Sequence, residues 1–138
     1  NAVLDNIQAA ILNVKLSHYD EWLTRRRVIA ERYKQGLGGI AGLKLPHFED
    51  SRYHDVYQNY VIQTNKRDEL KEHLDREGIE TIISWPKPNY SYDWYPFEVH
   101  PLPVTERICR EVISLPIYPE LTDKEVDFVI QAVKNFYT

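Results

Sequence analysis

The 138 residues carry a formal charge of −4, with 43% apolar and 28% charged side chains, which suits one globular domain and gives no electrostatic reason to expect nucleic acid or a membrane surface. No apolar run approaches the roughly 18 residues of a spanning helix. Cys109 is the only cysteine, so an intrachain disulfide is excluded and a reducing, cytoplasmic setting is expected.

The chain opens on a helical period. Leu4, Ile7, Ile11, Val14, His18, Trp22, Arg26, Ile29 and Tyr33 recur every three or four residues, with no glycine or proline until Gly36. One leading helix over residues 1–36 would be about 50 Å long, whereas a domain of this size has a radius of gyration of about 14 Å. Such a helix must overhang the domain unless it bends or breaks. Val3, Ala9, Ala10 and Leu12 make its first half greasy on more than one side. That half is expected to bury against something absent from the chain.

Residues 37–55 hold Gly38, Gly39, Gly42 and Pro46 and read as loop, with Leu43 to Leu45 as a short extended piece. Val56–Gln63 reads as a strand. A helix through Leu70 and Leu74 follows, capped by Thr64 or Asn65 and stopped at Gly78. Ile79–Trp85 reads as a second strand, in a parallel crossover or an antiparallel pair. Residues 86–103 contain five of the eight prolines and are irregular. Val104–Leu115 reads as a helix with Val104, Ile108, Val112 and Leu115 inward, ended by Pro116. Thr122-Asp123-Lys124-Glu125 is a capping box opening a last helix, with Val126, Val129, Ile130 and Val133 on one face. The expected class is α+β.

Little here spells out catalysis. Ser84 and Lys87 have Ser-x-x-Lys spacing, but Pro86 and Pro88 forbid the helical turn that chemistry needs. His18, His47, His54, His73 and His100 lack metal-ligand spacing. Cys109 reads as a buried helix residue. Arg25 to Arg27 read as a solvated helix face, paired to Glu21 and Glu31. The loop after the strand Ile79–Trp85 differs: Trp85, Tyr90, Tyr92, Trp94, Tyr95 and Phe97 crowd together with Lys87, Asn89 and Asp93. Aromatic rings beside amide and ammonium groups suit a sugar or a base; a hydrophobic lid or a protein interface is the alternative.

Three stretches together resemble one family. Asn1 to Ala10 (NAVLDNIQAA) is similar to a helix start of the DegT/DnrJ/EryC1/StrS sugar aminotransferases, Gly78 to Pro88 (GIETIISWPKP) to an internal segment, and Leu115 to Asp123 (LPIYPELTD) to a closing one. The resemblance spans essentially the whole chain. It implies the C-terminal small domain of a type I aminotransferase, a pyridoxal-phosphate enzyme that moves an amino group, often from glutamate, to a nucleotide-linked keto-sugar. A large domain bearing the Schiff-base lysine would precede it, so the chain alone is expected to be inactive and to bind no cofactor. Absence of methionine agrees with an excised piece, of which Asn1 and Ala2 could be a tag remnant.

By the same resemblance, Asn1 would reach the cofactor phosphate of the partner subunit in a homodimer, and Trp85, Lys87, Asn89 and Tyr90 would line the substrate pocket. The chain departs from the family at Val3, where an arginine is common, at Ser84-Trp85-Pro86 in place of His-Tyr-Pro, and at Asn89-Tyr90 in place of a histidine. Those departures imply a different sugar or stereochemistry. The alternative is a stand-alone binding module that dimerises through its leading helix.

Overall fold

A computed structural model describes residues 5–46, 52–98 and 100–138. The calls on Asn1, Ala2, Val3, Leu4 and His47 lie outside them. The elements are helices α1 (Asn6–Leu16) and α2 (Tyr19–Leu37), strands β1 (Leu43–Lys44) and β2 (Tyr60–Thr64), helices α3 (Arg67–Arg76) and α4 (Pro103–Glu111), strand β3 (Val112–Leu115), and helix α5 (Asp123–Tyr137).

The leading helix is not continuous. Ser17 Oγ turns back onto the Val14 carbonyl at 2.7 Å and His18 N–H bonds Lys15 O rather than Val14 O, so the ladder closes there and restarts at Tyr19. Serine back-bonding of this kind competes with the helix ladder. The stripe also divides: Ile29, Ala30, Tyr33 and Leu37 of α2 are buried, whereas α1 buries nothing.

Gly36 is not the stop signal its position suggests. The helix runs on to Leu37, and Gly38 caps it. Gly36 instead lets α2 approach α5, because a Cβ there would stand 2.7 Å from Ile130 Cγ2 and 2.8 Å from its Cδ1. A glycine-to-alanine change usually gains about 1 kcal/mol in a helix. Here Cγ2 sits on a stiff β-branched residue, and overpacking of about 1–3 kcal/mol wins. Gly36→Ala is therefore expected to lower the melting temperature, which thermal unfolding of the two chains reads directly.

The sheet has the order β1-β2-β3, antiparallel throughout, with Tyr60 opposite Leu115 and Ile62 opposite Ile113. Ile82 forms a bridge to Ser114 on the free side of β3. Two segments each antiparallel to β3 run parallel to one another. The strand–helix–strand reading is thus a parallel crossover with β3 inserted between its two strands. The expected second strand at Ile79–Trp85 reduces to that bridge.

Three other boundaries shift for physical reasons. The strand expected at Val56 begins only at Tyr60: the Asp55 carboxylate accepts Tyr57 N–H at 2.7 Å, Tyr57 has a φ of 47°, and Arg26 holds the carbonyls of Tyr57 and Gln58. Neither Thr64 nor Asn65 caps α3; Lys66 occupies that position, and Thr64 Oγ1 accepts its N–H from two residues before it. The helix expected at Val104–Leu115 ends at Glu111, and its last four residues are strand β3. Its inward face is Cys109, whereas Val104 and Ile108 are exposed.

One face of the sheet (Tyr60, Ile62, Ile113, Leu115) packs into a core with Tyr33, Leu70, Leu74, Val126 and Val133. α5 lies against α2 and α3. Its capping box forms as expected, with Glu125 N–H donating to Thr122 Oγ1 and Thr122 N–H donating to the Glu125 carboxylate.

The arginines of α2 are not a solvated face. Arg25 donates to Asp123 at 2.7 Å and to the Leu121 carbonyl, and Arg32 bridges Asp123 and Asp127. Their hydrogen bonds and charge hold the Asp123 carboxyl below the usual carboxylate range, and the bond Arg32 donates to Asp127 raises the Arg32 guanidinium. One Arg26 terminal nitrogen serves the carbonyls of Tyr57, Gln58 and Ile117 at 2.9, 3.2 and 2.9 Å. These side chains pin α2 to three other parts of the chain.

Candidate functional site

Gly78, with a φ of 75°, ends α3 and turns the chain into the bridge at Ile82. The proline-rich loop leaves from there and is held at several points. Pro88 is buried, and Ser91 N–H bonds its carbonyl at 2.9 Å to form a single 3-10 turn at Asn89–Ser91. The Tyr90 hydroxyl donates to Glu106 on α4 at 2.7 Å. Burial and then that carboxylate hold the Tyr90 phenol above its usual range, so it stays a donor. Lys87 Nζ donates to the Ser91 carbonyl at 3.3 Å and lies 4.1 Å from the centre of the Tyr92 ring.

Of the four expected pocket residues, Lys87 and Tyr90 line one cleft of about 290 Å³, together with Ser91, Glu106, Cys109 and Arg110. Trp85 and Asn89 are exposed and lie outside that lining. Tyr90 spends its hydroxyl on Glu106, so its visible role is to moor the loop to α4. Arg110 was not singled out in the sequence; its signal was one helical position beyond a cysteine taken as buried, and Cys109 is indeed buried with a free thiol. The cleft thus holds two cations, Lys87 and Arg110, and one carboxylate already bonded. It is smaller than most drug-sized pockets, which begin at about 300 Å³.

Two of the larger concavities are apolar grooves. One of about 580 Å³ runs along Leu12, Leu16, Tyr19, Trp22 and Tyr118, where α1 meets α2. Another of about 490 Å³ follows Ile82, Ile117, Leu121 and Phe128. On α1, Ile7 is 73% exposed and Val14 65%. Such a surface fits docking rather than chemistry.

A pyridoxal cofactor requires a lysine amine in an enclosed pocket. Lys71 is the only half-buried lysine and is ion-paired to Asp75 at 2.6 Å; Lys15, Lys34, Lys44, Lys66, Lys87, Lys124 and Lys134 are exposed. The described residues by themselves do not fit the cofactor. Ser84 and Lys87 form no dyad, since Lys87 is engaged by Ser91 and Tyr92. Among the described residues no group of His, Cys, Asp or Glu could hold a metal ion, and no helix there is long and apolar enough to cross a membrane.

A small antiparallel sheet backed by helices is an α+β arrangement, and its structural neighbours are type I aminotransferase chains. DesV of S. venezuelae, solved in complex with a ketimine intermediate, superimposes with a TM-score of 0.93 at 38% identity, over 99% of this chain and 38% of that one. The profile of the DegT/DnrJ/EryC1/StrS aminotransferase family matches residues 1–134, and the chain belongs to that family. Relatives include a dTDP-3-amino-3,4,6-trideoxy-alpha-D-glucose transaminase of Streptomyces venezuelae, 38% identical over 99% of this chain and 36% of the relative. A pleiotropic regulatory protein of Geobacillus stearothermophilus is 36% identical over 99% of this chain and 38% of its own length. The chain therefore spans a little over a third of the relatives it matches.

Proposed function

We propose that this chain is the substrate-facing small domain of a pyridoxal-phosphate aminotransferase that delivers an amino group, with glutamate as donor, to a nucleotide-linked keto-sugar. The observation that carries the reading is a near-complete match at both sequence and fold level to about a third of such a transaminase. The cofactor and its lysine belong to the remaining polypeptide. When bound, the cofactor supplies the electron sink for amino-group transfer.

What the residues here do is narrower. Lys87 and Arg110 place positive charge in a cleft fit for a diphosphate, and Tyr90 fixes the loop that carries Lys87, by holding Glu106. Trp85 and Asn89 stand exposed on the same loop, available to the sugar. The bare face of α1 and the apolar groove beside it would be covered by the large domain or by a second subunit, and Asn1 would reach the cofactor phosphate across that dimer. A stand-alone dimerisation module is the second reading, favoured only by the bare α1 face.

The test is amino transfer from glutamate to dTDP-linked keto-sugars, comparing this chain with a polypeptide that includes the preceding domain. Turnover by the long form alone supports the proposal. Absence of turnover and of any amino-donor half-reaction in the long form contradicts it.

A further inference from the structure

Among the described residues Arg67 is the one charged side chain that the fold buries, at 8% exposure. It is the first residue of α3, where the helix dipole favours acids over cations. Its Nε lies against the Asp68 carboxylate without hydrogen-bond geometry, and Asp68 is largely in solvent. Neither the helix nor that ion pair accounts for a buried guanidinium. The reason lies at the end of α4. Arg67 Nη1 donates to the Cys109 carbonyl at 3.3 Å, inside the protein. That carbonyl is one of the last four of α4, which have no donor within the helix. Val112 N–H closes on Ile108 O, and Ile113, whose N–H would have closed on Cys109 O, lies opposite Ile62 in the sheet.

α4 passes into β3 with no residue between them. Bonds from neighbouring elements therefore hold its end: Arg67 from α3, and Gln63 of β2, which donates to Glu111 at 2.6 Å. Glu106, Cys109 and Arg110 ride on the same helix and line the cleft, and Glu106 holds Tyr90 and with it the loop that carries Lys87. Arg67 does not line the cleft itself. We infer that Arg67 is a positioning residue: by holding the end of α4 through Cys109 O, it sets Arg110 against Lys87. The inference rests on the proposed substrate class, in which those two cations hold a diphosphate. A purely stabilising role predicts something different. Methionine is similar in bulk, and exchanging a buried ion for an apolar residue is often neutral for stability. No buried charge stays behind, because the Asp68 side chain is 74% exposed. What methionine removes is the donor to Cys109 O.

The test uses the long polypeptide saturated with pyridoxal phosphate and three variants, Arg67→Met, Arg67→Lys and Lys87→Ala. Titration calorimetry reads the affinity for inorganic pyrophosphate, and amide exchange reads the loop at Ser91, whose N–H bonds the Pro88 carbonyl. Lys87→Ala is expected to weaken pyrophosphate on the order of tenfold. Arg67→Met should weaken it on the order of fivefold and speed exchange at Ser91, with a melting temperature within about 3 °C of the parent. Arg67→Lys can still donate to a single carbonyl and should recover most of the affinity. An Arg67→Met protein that binds pyrophosphate like the parent, or whose loss lysine does not restore, would overturn the assignment. So would a large fall in its melting temperature, which would make Arg67 a staple of the fold. Lys87→Ala separates the two failures. Unchanged affinity there means that the cleft holds no diphosphate and both readings fall, whereas a weakened Lys87→Ala beside an unaffected Arg67→Met removes only the role of Arg67.

Discussion

Replacing both Ile11 and Leu12 with aspartate is expected to leave the unfolding of this chain almost unchanged while abolishing the docking proposed for the α1 face. Within the chain both side chains are about half exposed, at 52% and 47%, and α1 contributes no buried residue. Surface changes of that kind fall within about 0.5 kcal/mol. In the assembled enzyme the same face would be buried, and an unpaired buried charge costs several kcal/mol. Two of them would weaken association by a thousandfold or more on that scale. α1 has 11 residues, just short of the roughly 12–15 an isolated helix needs in water. Its amides should therefore exchange freely in the chain alone and become protected on assembly. Thermal unfolding and sedimentation of the double variant check both halves. A large loss of stability in the isolated chain would show that α1 packs on its own domain.

Arg26→Ala is expected to be the most damaging substitution outside the core. The guanidinium serves three carbonyls on two separated segments, and alanine would strip all three of their partner. Hydrogen bonds to a charged group contribute about 1.5–3 kcal/mol each, but these share one nitrogen and two protons. A net loss of about 3 kcal/mol follows, which is on the order of 10 °C in melting temperature. Arg26→Lys should recover little, since one ammonium cannot reproduce the fork. An unchanged melting temperature for Arg26→Ala would mean that water replaces the guanidinium at no cost.

The sequence carried the elements whose cause is local. The Thr122–Glu125 box, the α5 face and the end of α3 at Gly78 depend on residues within a few positions, and all are found in place. Residues acting at a distance were misread. Arg25 to Arg27 have helix-surface partners at four-residue spacing, yet they bond groups 28 to 98 positions away. Gly36 looks like a terminator because nothing nearby reveals Ile130. Val112 to Leu115 continues a helical stripe and also suits a strand; pairing with Tyr60 to Gln63 decides it. In the candidate site, Lys87 and Tyr90 were legible as loop residues among aromatics. Arg110 was not, because only the folded α4 brings it to the same cleft.

The central claim is that this chain is one part of an enzyme whose cofactor lysine lies elsewhere. It is tested most directly by titrating pyridoxal phosphate into the long polypeptide and into this chain while recording the Schiff-base absorbance. The account predicts a saturable band in the long form that borohydride fixes covalently outside residues 1–138, and no saturable band in the chain alone. A stoichiometric adduct on any lysine of this chain, or none in either protein, would contradict it.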